Sequence, residues 1–264
     1  MRFKDDVILV VGGACGMGNA TVKQLLGEGA HVICYDIRDD AMEELAEEVK
    51  ELPGTLETFT ADVNDGVKRK EIAQYIKNKF GKLDSLVYAA GVLDCMVPAD
   101  DLDDELWDYV MDVNVNSTFR MVRETLPLLL DHEGKAANIV IIGSVGGFIG
   151  SSAGPAYITS KHAVLGLAKN LAFTYRRRNL RVNVVNPGSI MTSILENAMN
   201  KWPDRDLVHP EGVKLYTDMG AVSLGYDLSG EAEDIANAIC FLLAPESKFI
   251  CGAELTVDGG WASF

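Results

Sequence analysis

The sequence is poor in positive charge: 24 Lys+Arg stand against 39 Asp+Glu in 264 residues, a formal net charge of −15. An acidic surface repels phosphate backbones, and the basic run Arg176-Arg177-Arg178 has neither interleaved aromatics nor a zinc framework, so no nucleic acid partner is expected. Cysteine is scarce. Cys15, Cys34, Cys95, Cys240 and Cys251 are an odd number, widely spaced and without a C-x-x-C, which excludes a disulfide scaffold and a zinc knuckle and points to reduced thiols in a cytoplasmic protein. The histidines His31, His132, His162 and His209 have no metal-ligand spacing, so no metal is expected. No stretch approaches a membrane span, and the apolar run that follows Met1–Asp6 is broken by glycines after Val11, too early for a signal-peptide core; no membrane partner is expected. Internal repeats, low-complexity tracts and Pro/Ser-rich linkers are also missing, so one domain is expected over 1–264.

What is present is a chain with 48% hydrophobic and 24% charged residues, able to bury a sizeable core. Short apolar, β-branched runs alternate with longer amphipathic ones, the βαβ rhythm of a parallel sheet covered on both faces. Strands are expected at Val7–Val11, His31–Asp36, Leu56–Ala61, Leu86–Ala89, Ile139–Ile142 and Val182–Val185. A first helix is expected from about Gly18 to Gly27. Ala41, Leu45 and Val49 mark a second that stops at Pro53-Gly54, and Ile72, Tyr75 and Ile76 a third that stops at Gly81. The stretch from Ile190 to Leu228 breaks the rhythm; such long excursions tend to be lids or binding loops.

Gly12-Gly13-Ala14-Cys15-Gly16-Met17-Gly18 follows the first strand and opens the first helix. Glycines there let the backbone turn tightly and approach a pyrophosphate, whose charge faces unpaired N–H groups at the helix N-terminus. The second strand ends in Asp36, placed to accept hydrogen bonds from ribose hydroxyls. In Tyr157-Ile158-Thr159-Ser160-Lys161, residues four apart share one helix face, so a phenol and an ammonium can reach one cleft. Tyr75 and Lys79 have the same spacing on what reads as an ordinary surface helix, with Lys79 a solvated charge.

The G-x-x-x-G-x-G spacing, Asp62-Val63, Ala89-Ala90-Gly91, Asn114, Ser144, Tyr157 with Lys161, and Pro187-Gly188 together resemble the short-chain dehydrogenases/reductases in order and interval, over nearly the whole chain. The resemblance implies a Rossmann-type α/β fold: a doubly wound parallel sheet of about seven strands with helices on both faces and a substrate-loop lid over about 190–228. It also implies catalysis by Asn114, Ser144, Tyr157 and Lys161. Tyr157 would exchange a proton with a substrate oxygen, with Lys161 and the positive nicotinamide of the oxidised cofactor lowering its pKa. Ser144 would hydrogen-bond the substrate oxygen, and Asn114 would hold a relay water.

Implied contacts to the cofactor are Gly12, Cys15, Gly16, Met17, Gly18, Asp36, Ile37, Asp62, Val63, Ala90, Gly91, Tyr157, Lys161, Pro187, Gly188, Ile190 and Thr192. Asp62 and Val63 correspond to the adenine contacts, and Ile190 and Thr192 to the carboxamide segment. Two positions depart from the pattern: Val11 replaces a threonine, and Tyr88-Ala89-Ala90-Gly91 replaces Asn-Asn-Ala-Gly, removing hydrogen bonds that brace the strands. Asp36 would repel a 2′-phosphate and Cys15 adds no positive charge, so NAD (NADH) is expected over NADP; Arg38 is the dissenting residue. Phe148, Met191, Leu195, Met199 and Trp202, with Ser144 and Tyr157, are candidate substrate contacts. Their adaptable apolar character suits a hydrophobic secondary alcohol or ketone such as a hydroxysteroid or bile acid, although the same residues could simply pack the lid. The alternatives are a 3-oxoacyl-carrier-protein reductase-like enzyme and a non-catalytic NAD(H)-sensing regulator. Relatives imply a homotetramer (or homodimer), formed through the helices 114–131 and 156–175 and the C-terminal segment.

Overall fold

The computed structural model describes residues 1–94, 96–130, 135–150, 153–202, 209–211, 214 and 229–263, with the backbone alone at Met199. Seven strands, β1 (Val7–Val11), β2 (His31–Asp36), β3 (Thr55–Thr60), β4 (Ser85–Tyr88), β5 (Ala137–Ile142), β6 (Leu180–Pro187) and β7 (Glu254–Val257), form one parallel sheet in the order β3-β2-β1-β4-β5-β6-β7. The helices are α1 (Gly16–Gly27), α2 (Asp39–Val49), α3 (Gly66–Phe80), α4 (Asp104–Met111), α5 (Ser117–Leu129), α6 (Pro155–Tyr175), α7 (Ile194–Lys201) and α8 (Ala232–Leu243).

Because side chains alternate along a strand, the central strands feed two cores. Val7, Leu9 and Val11 pack with Ile72 and Ile76 of α3, Met121 of α5 and Val164 of α6, while Ile8 and Val10 pack with Leu25 of α1, Leu45 of α2 and Ile239 of α8. Each such side chain, fully buried, stabilises the fold by about 1.5–3 kcal/mol before conformational entropy is counted. Strand order reverses between β1 and β4, and the crevice at the carboxyl ends of these strands is where doubly wound sheets bind ligands.

The ends of the elements follow local chemistry. Asp65 caps α3, its Oδ1 accepting from Val67 N at 2.8 Å and Lys68 N at 3.1 Å, and Gly81 closes the helix at φ 73°. The structure begins α1 at Gly16, two residues before the sequence expectation, and shifts β3 and β4 one residue earlier. β5 and β6 are longer than expected. β7 escaped the sequence reading because its four residues are largely half-buried at the sheet edge and lack a continuous apolar run. The loss of bracing expected at Val11 and Tyr88 is offset. Ala89 N donates to Val11 O at 2.8 Å, and the Tyr88 hydroxyl lies 2.5 Å from Ser117 Oγ, tying β4 to α5.

In the stretch 190–228, Ile190 bridges to Gly230 and α7 follows. Most of the expected lid, including Leu215, Tyr216 and Met219, lies outside the described residues. No described helix is long and apolar enough to cross a membrane.

Candidate active site

The turn after β1 is possible only with glycine. Gly12 has φ +78°, and a Cβ there would lie 2.4 Å from Ala90 N; one at Gly18 would lie 1.9 Å from Gly12 O. The turn delivers the chain to the start of α1, where Cys15 is the N-cap without a side-chain hydrogen bond. The first-turn N–H groups of a helix have no partner within it and attract an anion. A cleft of about 790 Å³ opens there, lined by Gly12, Cys15, Gly16, Met17, Gly18, Asp36, Ile37, Asp62, Val63, Ala90, Gly91 and Thr192 from the expected cofactor set. Lys201, Asn197 and Glu196 of α7 line its other side, together with Tyr109 and Val113.

Five of the expected contacts, Pro187, Gly188, Ile190, Tyr157 and Lys161, are not among the residues that line this cleft. Pro187 pairs with Val257 in the sheet, a Cβ on Gly188 would lie 2.6 Å from Asp258 Cβ, and Ile190 forms its bridge to Gly230.

The turn after β5, α6 and the turn before α5 carry the expected catalytic residues, and Asn114 and Lys161 approach the cleft at Gly91. Residues 112–116 form a π-helical turn, with Ser117 donating to Val113 O and Thr118 Oγ1 to Asn114 O at 2.7 Å. Asn114 is buried. Its Oδ1 accepts from Val92 N at 2.9 Å, and its Nδ2 donates to Val92 O at 3.0 Å and Ser160 Oγ at 2.9 Å. Positions around Gly91 bring the set together: a Cβ there would lie 3.4 Å from Asn114 Oδ1 and 3.6 Å from Lys161 Nζ.

Lys161 Nζ donates to Ile142 O at 3.0 Å and lies 5.5 Å from the Tyr157 ring centroid. Burial lowers its pKa to about 8. The Tyr157 phenol is pushed up to about 12, first by burial, with a Ser144 hydrogen bond acting against that and the charge of Asp94 adding to it. In the chain itself, loss of solvent sets the direction of the Tyr157 shift. Ser144 is held by Asn186, whose Oδ1 accepts from Ser144 N at 3.1 Å, and Ser144 Oγ accepts from Gly146 N at 3.0 Å.

Among candidate substrate contacts, Phe148, Met191 and Leu195 are exposed. Trp202 instead packs edge-on against Tyr109, with ring centroids 5.8 Å apart, beside the small cluster of Val97, Leu106, Val110 and Ala156. That is the lid-packing alternative. The Met199 side chain lies outside the described residues.

Sequence reasoning missed Asp94 and Asn186. Asp94 is fully buried and accepts from Gly154 N at 2.9 Å and Tyr157 N at 2.8 Å, capping α6 from the loop after β4. Burial raises its pKa, and those backbone N–H groups oppose the rise. No local pattern around Val92-Leu93-Asp94 signals such a contact; in the structure a Cβ on Gly154 would lie 2.7 Å from Asp94 Oδ2, so the close approach needs glycine there.

With fold and site in view, the comparisons with known proteins agree. The family model described as short chain dehydrogenase matches residues 6–203, and the chain belongs to that family. It is 30% identical to 3beta-hydroxysteroid dehydrogenase 2 of Eggerthella lenta over 97% of this chain and 94% of that protein. It is 31% identical to 3-oxoacyl-acyl-carrier-protein reductase FabG of Thermotoga maritima over 98% and 99% of the two chains. Among solved structures, levodione reductase superposes with a TM-score of 0.85 at 29% identity, covering 100% of both chains. The protein is a short-chain oxidoreductase with a Rossmann-like fold.

Proposed function

We propose that the protein interconverts a hydrophobic secondary alcohol and its ketone, with NAD(H) as cofactor and a hydroxysteroid or bile acid as the substrate class. The observation that carries the reaction is the Tyr157–Lys161 pair, with the buried Lys161 ammonium 5.5 Å from the Tyr157 ring centroid and close to Gly91. A bound nicotinamide dinucleotide supplies or accepts the hydride. Tyr157 takes the hydroxyl proton during oxidation and returns it during reduction, at the substrate oxygen that Ser144 orients. Lys161 holds positive charge beside the phenolate, and Asn114 joins the Val92 backbone to α6 so that the pair keeps its place.

Support for NAD comes from the loop after β2. Asp36 accepts from Ala14 N and Arg38 N, both at 3.0 Å, which fixes its carboxylate beside the glycine turn. Arg38, the one residue favouring a 2′-phosphate, is engaged by both oxygens of Asp40, at 3.2 and 3.0 Å, and by Asn197 Oδ1 at 3.2 Å. A phosphate would have to compete with that carboxylate. The exposed Phe148, Met191 and Leu195 support an apolar substrate, and exposed Phe119 on α5 and Phe173 on α6 support a homotetramer or homodimer.

The test is reduced-nicotinamide absorbance with hydroxysteroids, bile acids, simple secondary alcohols and sugars, each with NAD or NADP. Expected are turnover of apolar alcohols and a preference for NAD of about tenfold or more in kcat/KM, equivalent to about 1.4 kcal/mol. A preference for NADP overturns the cofactor reading, and turnover of small polar alcohols alone overturns the substrate class.

A further inference from the structure

Two successive carbonyls in the loop after β3 are held from inside the protein. The Tyr35 hydroxyl donates to Asp62 O at 2.5 Å, and Arg69 Nη1 donates to Val63 O at 2.5 Å. Neither donor residue is on the surface: Tyr35 is 0% exposed and Arg69 4%. Arg69 leaves the first turn of α3 and folds back beneath Gly66, where a Cβ would lie 3.3 Å from Nη2. Its Nε sits 3.9 Å from Glu124 Oε1 on α5, a carboxylate whose side chain is 8% exposed.

This arrangement is costly. Taking a guanidinium and a carboxylate out of water is offset only by good pairing, and here Arg69 Nε and Glu124 Oε2 have no hydrogen-bond partner. Apolar side chains would fill the same space with less desolvation, so stability alone does not account for the pair. What Tyr35 and Arg69 do share is residue Val63: Tyr35 holds the Asp62–Val63 peptide that precedes it and Arg69 the Val63–Asn64 peptide that follows it. In a trans peptide the C=O and the following N–H point in opposite directions. Drawing the Asp62 carbonyl inward to Tyr35 therefore turns Val63 N–H outward, on the side of the cleft that Asp62 and Val63 line. The Asp62 carboxylate is set in the same turn, its Oδ1 accepting from Asn64 N at 2.7 Å. A fixed donor beside a carboxylate matches the edge of adenine, which offers a bare ring nitrogen beside an amino group.

We infer that Tyr35 and Arg69 are positioning residues for adenine recognition, bracing from behind the two peptides on either side of Val63 and, through Glu124, tying that turn to α5. The inference rests on the dinucleotide reading above. It is tested by fluorescence titration with NADH and with reduced nicotinamide hypoxanthine dinucleotide, which carries a carbonyl and an N–H where adenine has its amino group and bare nitrogen. Wild type is expected to prefer NADH. Tyr35→Phe and Arg69→Met each weaken NADH by about threefold to tenfold, the worth of one net hydrogen bond, while the analogue is unaffected, so discrimination falls. Should Arg69→Met fail to fold because the buried Glu124 keeps only Arg123, at 3.8 Å, as a cationic partner, Arg69→Met/Glu124→Gln removes that charge and Tyr35→Phe stands independently. Variants that melt earlier yet keep the wild-type discrimination overturn the inference, leaving a brace of structure only. Wild type that binds NADH without discriminating against the analogue overturns the placement of adenine and the inference with it. Wild type that binds neither dinucleotide overturns the cofactor reading itself.

Discussion

Tyr75 and Lys79 on α3, and Tyr157 and Lys161 on α6, are the same four-residue device in two places. In each pair the ammonium lies 5.5 Å from the tyrosine ring centroid. Their surroundings differ. The Lys79 side chain is 49% exposed, donates to Tyr75 Oη at 3.0 Å and pairs with Glu57. Lys161 is 5% exposed and donates to a buried carbonyl instead. Water and Glu57 screen the first cation, whereas burial brings the second to a pKa of about 8, within reach of physiological proton exchange. Under the proposed function, what separates the two pairs is the burial of the lysine, not the spacing.

The largest effect expected from breaking this contrast is at Tyr157. Tyr157→Phe removes the proton carrier and leaves the packing, so turnover of any substrate the wild type accepts falls by about 10²–10⁴-fold. The Kd for NADH, read by fluorescence, moves far less than turnover does; a variant with near wild-type kcat would move the proton transfer elsewhere.

A smaller effect separates the charges that face Tyr157, namely Lys161 and Asp94. Asp94 raises the phenol pKa, because a nearby negative charge disfavours phenolate. Asp94→Asn removes that charge, so deprotonation becomes easier and the rising acid limb of alcohol oxidation moves to lower pH. The profile of kcat/KM against pH reads this directly. An unmoved limb with a lower melting temperature would reduce Asp94 to a helix cap.

The parts legible in the sequence are those whose signal is local. β1, β2 and β5 are runs of β-branched and apolar residues, and the glycine turn, Ser144 and the Tyr157–Lys161 pair each lie within a few residues of their motif. Missing from that reading is what long-range contact creates. Asp94 reaches the start of α6 across sixty residues, Asn186 holds Ser144 from the end of β6, and Tyr35 meets Asp62 from the neighbouring strand. The π-helical turn at Asn114 depends on Ser117 and Thr118 bonding back to carbonyls, a choice that propensity does not encode. β7 was hidden for a different reason: at a half-exposed edge, burial does not demand a continuous apolar run.

The smallest effect is expected at the surface pair, and it is the control that gives the first comparison its meaning. Lys79→Met deletes an ammonium at the same distance from a tyrosine ring as Lys161, together with its ion pair to Glu57. Exposed pairs of this kind contribute about 0–1 kcal/mol, since solvent screens the attraction and two long side chains lose freedom in making it. Denaturant unfolding should therefore shift by less than about 1 kcal/mol, with kcat, KM and the pH profile unchanged. If Lys79→Met altered the pH profile, charge on α3 would be acting on the cleft through the loop after β3, and burial would no longer suffice to explain why one Tyr–Lys pair is set up for chemistry and the other is not.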